Sequence, residues 1–166
     1  MHPAAFEYVC RVVQSLPPLY SVVEFGSRVV NGTVREIFTD AKVYLGIDIE
    51  AGPGVDIVAD AADWKADEPV DCVVCCEVLE HSERWPEVVG SSYRALKPGG
   101  VLILTCASEK RAPHGVSGDL IREGEHYQGL EIINLTNWIL TIDFSVVLID
   151  PNSPPEDIYT LALKPR

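Results

Sequence analysis

The chain has 166 residues, 47% apolar and 8% aromatic, with a formal net charge of −12. That length predicts a single domain over 1–166, with a full core but no room for a separate substrate-binding domain, and no apolar run approaches the ~20 residues of a membrane span. With 13 Lys and Arg against 25 Asp and Glu, a broad phosphate-neutralising surface is excluded, so a small-molecule or basic partner fits better than nucleic acid.

The N-terminal MHPAAFEYVCRVVQ lacks the basic start and apolar centre of a signal peptide, which predicts a cytoplasmic protein. Phe6, Val9, Cys10, Val13 and Leu16 recur at helical spacing from Pro3 onward, and Pro17-Pro18 stops the helix they predict. Tyr20 to Phe25 reads as the first strand, emptying into Gly26 and Ser27, where backbone can approach a ligand without a Cβ in the way. A helix is expected from about Thr33 to Asp40, capped by Asn31 or Thr33, its first N–H groups facing the same turn. Lys42 to Ile49 is a near-continuous apolar run of the kind that buried parallel strands show.

A third short strand is expected over Val55 to Asp60, a turn or short helix over AADWKADEP, and a fourth strand over DCVVCCEVL. Trp85 to Leu96 reads as a helix with Pro86 in its first turn, ended by the glycine turn KPGG, and VLILTC as the fifth strand. The polar, glycine-rich stretch Ala107 to Gly129 is long for a connection in a compact domain and suggests a functional lid. Asn134 is placed to cap a helix through Leu140 and Ile142. Phe144 to Asp150 and Asp157 to Lys164 read as two strands joined by PNSPPE, short enough for an antiparallel hairpin. Strands alternating with helices and closed by a hairpin predict an α/β, Rossmann-like doubly wound sheet of seven strands.

Alternation along DCVVCC sends Cys72 and Cys76 to one face and Cys75 to the other, so they cannot converge on a metal from one strand. All five cysteines, Cys10 and Cys106 included, read as buried reduced thiols, and no metal-ligand set is read from the sequence.

These residues resemble a class I S-adenosylmethionine-dependent methyltransferase of the small, single-domain, small-molecule type, over nearly the whole chain. The family's acidic residue and GxGxG are matched by Glu24-Phe25-Gly26-Ser27, with Arg28 and Val30 where the second and third glycines stand. GIDIE resembles the second motif and implies that Asp48, with Glu50 as understudy, holds the ribose hydroxyls. VADAADW implies that Asp60 and Ala61 meet the adenine, whose ring Ile49, Ala61 or Trp64 would flank. EVLEH, Glu77 to His81, with RWPEVVGSSYRALKPGGVLIL after it, resembles the family's fourth-strand motif and the helix, glycine turn and fifth strand beyond that motif. The family's strand order is 3-2-1-4-5-7-6.

The chemistry agrees with these assignments. Vicinal hydroxyls are donors that one ionised carboxylate can accept together. The resemblance therefore implies S-adenosyl-L-methionine as cofactor, with Glu24, Phe25, Gly26, Ser27, Asp48, Ile49, Asp60, Ala61 and Glu77 around it. A base is needed only for a protonated acceptor. His81, His114 and His126 are the catalytic candidates, the last two in the polar loop beside Arg111, Glu125 and Tyr127. Two other readings stand: a non-catalytic methyltransferase-like binding or partner module, because the glycine loop is altered, and an NAD-binding oxidoreductase, whose GxGxxG is broken by Arg28 and Val30.

Overall fold

The computed structural model describes residues 2–153 and 156–166. Helix α1 (Pro3–Ser15) starts with proline in its first turn, and the His2 ring accepts the Ala4 N–H at 3.2 Å. Strands β1 (Ser21–Phe25), β2 (Val43–Asp48), β3 (Ile57–Val58) and β4 (Val70–Cys76) follow, then helix α2 (Trp85–Ala95), strand β5 (Leu96–Ala107), helix α3 (Ile132–Thr141) and strands β6 (Val146–Ser153) and β7 (Asp157–Leu163). The seven strands form one sheet in the order β3-β2-β1-β4-β5-β7-β6. Pairing is parallel from β3 to β5, and β7 lies antiparallel to both β5 and β6. This is the expected architecture, terminal hairpin included; Pro154 and Pro155 of its connection lie outside the described residues.

Each face of the sheet is covered by its own core. Val9 and Val12 of α1 pack with Val22, Cys72, Val74 and Ile103 on one face. On the other, Val88 and Val89 of α2 and Leu135 and Ile139 of α3 meet Phe25, Val73, Cys75 and Leu104. The alternation of Cys72 and Cys75 is therefore as the period of two requires. All five cysteines are free thiols. Cys72, Cys75 and Cys106 are buried, whereas Cys10 and Cys76 are only half-buried, a departure from the expectation for all five. No helix among the described residues is long and apolar enough to cross a membrane.

The structure corrects four local expectations. The helix over Thr33 to Asp40 is a single 3-10 turn, Arg35–Ile37. Thr33 Oγ1 accepts the Arg35 N–H at 3.1 Å, and the Arg35 guanidinium is drawn back to the Tyr44 carbonyl and the Asp56 carboxylate, holding the chain in one turn while Val34 and Phe38 cover the sheet. Strand β3 has two residues rather than six: the Gly46 N–H of β2, which a β3 carbonyl would otherwise accept, goes instead to the Asp56 carboxylate. Helix α2 is not ended by a glycine; it stops at Ala95, and KPGG opens β5, with Gly99 at φ +79°. Helix α3 begins at Ile132, two residues before Asn134, whose amide donates back to Glu131 at 2.8 Å.

The start of β1 hangs on Asp71. Its Oδ2 accepts from the Tyr20 and Ser21 N–H groups and the Ser21 hydroxyl, at 2.9, 2.9 and 3.0 Å, and Lys97 pairs with Oδ1. Burial works against the charge, but the Lys97 ammonium and these donors outweigh it and hold the carboxyl below its usual range. A depressed folded pKa gives stability that is present above the unfolded value and lost as pH falls through the folded one. Asp71→Asn is therefore expected to cost about 2 kcal/mol at neutral pH. Urea titrations should show the gap to wild type closing as the solution is acidified through the carboxylate range, and a gap constant with pH would rule this account out.

Candidate functional site

The site is built where the carboxyl ends of β1, β2 and β4 meet. Beyond β1 the chain doubles over β2, so that the Gly26 and Ser27 N–H groups both reach the Ile47 carbonyl, at 2.9 and 3.2 Å. This turn demands glycine. Gly26 sits at φ +76°, and a Cβ there would lie 2.2 Å from a Val78 methyl. One layer away, a Cβ on Gly46 would lie 2.2 Å from the Gly54 carbonyl oxygen. Arg28, in place of a second glycine, donates its N–H to Asp48 Oδ2 at 3.1 Å and ion-pairs with Glu50 at 2.8 Å. The Glu50 N–H donates to Asp48 Oδ1 at 3.0 Å, so the carboxylate is held by backbone on both oxygens and keeps a second lone pair on each.

Above this turn lies a cavity of about 750 Å³, within the roughly 300–1,000 Å³ usual for small-molecule sites. It brings together Glu24, Gly26, Ser27, Asp48, Ile49, Asp60, Ala61 and Glu77, along with His81, His114 and His126. Phe25 is the exception: strand alternation turns its fully buried ring into the core, 5.8 Å from that of Trp64. Trp64 therefore packs with the core too, and it is Ile49 and Ala61 that wall the cavity. Asp60 is already engaged, accepting the Ala62 N–H at 2.8 Å and pairing with Arg84 at 2.9 Å. Ser27 Oγ is buried with no hydrogen-bond partner among the described residues.

Glu24 is 6% exposed and accepts the Tyr44 hydroxyl at 2.8 Å. Burial pushes its carboxyl up to about 7, the Tyr44 bond and the Arg35 charge pulling the other way. No signal in the sequence marks Tyr44 or Arg84. Both lie far along the chain from the carboxylates they serve.

The opposite wall is acidic. Glu77, at φ +57°, accepts from Thr105 Oγ1 at 2.9 Å and pairs with Arg111 at 3.0 Å, and Arg111 also pairs with the fully buried Asp157. Glu80 is wholly buried; Oε1 takes the Ala107 N–H at 3.1 Å, while Oε2 has no hydrogen-bond partner among the described residues. Burial first, then the charge of Glu77, raises the Glu80 carboxyl well above its usual range. Within EVLEH the sequence points to Glu77 and His81 and leaves Glu80 without a role; its position three residues after Glu77 is the available signal.

Residues 108–129 form no helix or strand beyond a bridge from Ser108 to Leu130. They are tied to the rest by the Gln128 N–H to the Glu80 carbonyl, at 2.7 Å, and by the Asn31 amide to the Ser117 carbonyl, at 3.0 Å. This stretch brings His114 beside His81, ring centroids 5.4 Å apart, with Tyr127 edge-on to both. Burial lowers the His81 pKa, so the ring is neutral at pH 7. His126 faces Glu83 at 3.5 Å.

A family model described as a methyltransferase domain matches residues 2–149. No curated protein matches the chain in sequence. Among solved structures, an S-adenosylmethionine-dependent methyltransferase from Clostridium acetobutylicum is similar with a TM-score of 0.72 at 11% identity, covering 100% of this chain and 93% of that one. The Burkholderia thailandensis 1,6-didemethyltoxoflavin N1-methyltransferase, solved with 1,6-didemethyltoxoflavin and S-adenosylhomocysteine, has a TM-score of 0.70 at 12% identity, covering 99% and 79%. The N-methyltransferase NodS from Bradyrhizobium japonicum, solved with S-adenosylhomocysteine, has a TM-score of 0.68 at 13% identity, covering 99% and 89%. At such identities the likeness is one of fold.

Glu24 makes the stability of the protein depend on pH with the opposite sign to Asp71. From its ordinary value of 4.5 up to about 7 the folded chain holds a proton that the unfolded chain releases. Stability from this group is therefore full below that window and lost as pH rises through it. Glu24→Gln should flatten the decline, removing about 3 kcal/mol of pH-dependent change. Denaturant midpoints of both chains across the window test this, and parallel curves would refute it.

Proposed function

The chain belongs to the methyltransferase-domain family, and we propose that it transfers a methyl group from S-adenosylmethionine to a small-molecule acceptor. The observation that carries this reading is Asp48: a carboxylate at the end of β2, fixed by two backbone N–H groups, lining the cavity with lone pairs to spare. A ribose diol would use those lone pairs. The cradle formed by Gly26 and the unpartnered Ser27 hydroxyl also suits a polar ligand brought close to backbone. S-adenosylmethionine held there would supply a sulfonium-activated methyl carbon for transfer to an acceptor lone pair, with the electrons of the S–C bond left on sulfur.

What the chain contributes is binding, alignment and exclusion of water. Ile49 and Ala61 flank the region suited to an adenine ring. Asp60 retains acceptor capacity for its amino group beyond the bonds to Ala62 and Arg84. The buried Glu24 carboxylate, next to the Gly26 turn, is suited to an ammonium, whose charge would draw its proton off. His81, His114 and His126 face the remaining space, where an acceptor with an N–H or O–H would meet an imidazole. Residues 108–129 would roof that space. The solved relatives named with an acceptor, 1,6-didemethyltoxoflavin in one and phosphomonomethylethanolamine in another, have small-molecule acceptors, which supports the same class here.

Asp48→Ala is expected to weaken S-adenosylmethionine binding more than tenfold with the fold intact, since a charge-assisted hydrogen bond contributes about 1.5–3 kcal/mol and tenfold is about 1.4. Calorimetric titration measures this; an unchanged dissociation constant would end the ribose role of Asp48. Binding of neither S-adenosylmethionine nor NADH by the wild-type chain would leave the non-catalytic module as the answer.

Replacing residues 112–127 by a short glycine linker should keep methyl-donor affinity within a few fold and abolish transfer. Acceptors for that assay come from screening a metabolite panel for release of S-adenosylhomocysteine. Transfer that survives the replacement would move the acceptor site elsewhere.

A further inference from the structure

We propose that Glu80, His81 and His114 form a binding site for one borderline divalent cation, of the zinc or cobalt class, at the acid-walled end of the cavity. One carboxylate oxygen of Glu80 and one ring nitrogen of each histidine lie within 4.8 Å of one another. Ligands sharing an ion with bonds of about 2.1 Å stand roughly 3–4 Å apart. The three atoms therefore need to close by about an ångström, a movement that His114, on an irregular stretch, can supply.

Three features set this trio apart from a chance cluster. The first is the orientation of the rings. His81 Nδ1 lies 3.3 Å from the His126 carbonyl oxygen and His114 Nδ1 lies 3.1 Å from that of Ala112. A carbonyl only accepts, so the tautomer with a proton on Nδ1 suits both rings, and in it Nε2 is the nitrogen offered to a metal. Secondly, Glu80 Oε2 is fully buried and without a hydrogen-bond partner among the described residues. A buried carboxylate oxygen left unpaired is costly, and a cation relieves that cost.

The third feature is charge. Glu77, Glu80 and Asp157 gather here, and the Arg111 guanidinium pairs with Glu77 and Asp157 but not with Glu80. Glu77 and Asp157 thus share a cation that Glu80 does not reach, and a divalent ion would give Glu80 its own. Two imidazoles and one carboxylate select borderline first-row ions over magnesium or calcium, which prefer all-oxygen shells.

Glu80 lies beneath the cavity wall while both histidines line the cavity, so coordination positions not filled by protein open into it. The role of the ion rests on the methyl-transfer reading: an acceptor oxygen would ligate it there, and a hydroxyl so held gives up its proton more readily. The site itself rests only on its ligands.

The test is titration of the chelator-treated protein with cobalt(II) alone, followed by calorimetry and by the visible bands of the bound ion. One ion per chain is expected, with bands showing nitrogen coordination, and magnesium should bind at least about tenfold more weakly. His114→Ala changes a side chain outside every helix and strand, and Glu80→Gln keeps shape while removing charge. Each should weaken cobalt binding by about tenfold or more. The His114→Ala chain should keep its S-adenosylmethionine affinity within a few fold, so failure of the metal site and failure of the methyl-transfer reading give different results. No cobalt binding by the wild-type chain would overturn the proposal, as would binding that both variants retain.

Discussion

Everything at the carboxyl end of this sheet depends on how closely the chain leaving β1 lies on the end of β2. Two N–H groups, from Gly26 and Ser27, share the Ile47 carbonyl, and Gly46 sits tight against Gly54 and Ser27. Close packing tolerates no extra carbon here. Because that layer is so thin, Asp48 is presented to the cavity at a fixed height, and Arg28 can lie across to Glu50. The altered glycine loop is thus compatible with a tight turn. The glycines the geometry requires are at 26, 46 and 54, in three different segments, rather than spaced along one motif.

The second organising feature is a set of buried carboxyl groups. The chain places Glu24, Glu80 and Asp157 where water is excluded, with Glu77 nearly so. Each is handled differently: Glu24 by a tyrosine hydroxyl, Glu77 and Asp157 by one shared guanidinium, Glu80 by a backbone N–H on one oxygen and, among the described residues, nothing on the other. Such groups are costly to bury and are kept where a site uses them. The overall acidity of the chain therefore has a local counterpart, concentrated around the cavity where a cationic ligand or ion would be received.

The connection of residues 108–129 joins these two regions. It crosses from the end of β5 to Asn31 beyond β1 and returns to Glu80, carrying His114 to His81 on the way. An irregular segment outside every helix and strand is well suited to move between open and closed positions. The histidine pair thus joins a ring from the turn after β4 to one from this irregular connection.

Much of this was legible in the sequence because it depends on local period and composition. Apolar runs at Lys42 to Ile49 and VLILTC, the helical spacing after Pro3 and the brevity of PNSPPE determine strands, helix and hairpin, and hence a sheet with few possible orders. The same pattern locates Asp48, Asp60 and Glu77 at strand ends, where ligands of such sheets are bound. What the sequence could not settle is what depends on partners distant along the chain. Thr33 to Asp40 has helical spacing, yet Arg35 is drawn to Asp56 and only one turn forms. Phe25 neighbours Glu24 and Gly26, yet its ring packs against Trp64 from a distant segment instead of lining the cavity. Glu80 and His114 lie far apart along the chain, and only the folding of a long irregular connection over β4 brings them together. Periodicity reports which face a side chain takes; which charges share a buried space is decided by tertiary packing, because burial and pairing energies depend on neighbours that no local window contains.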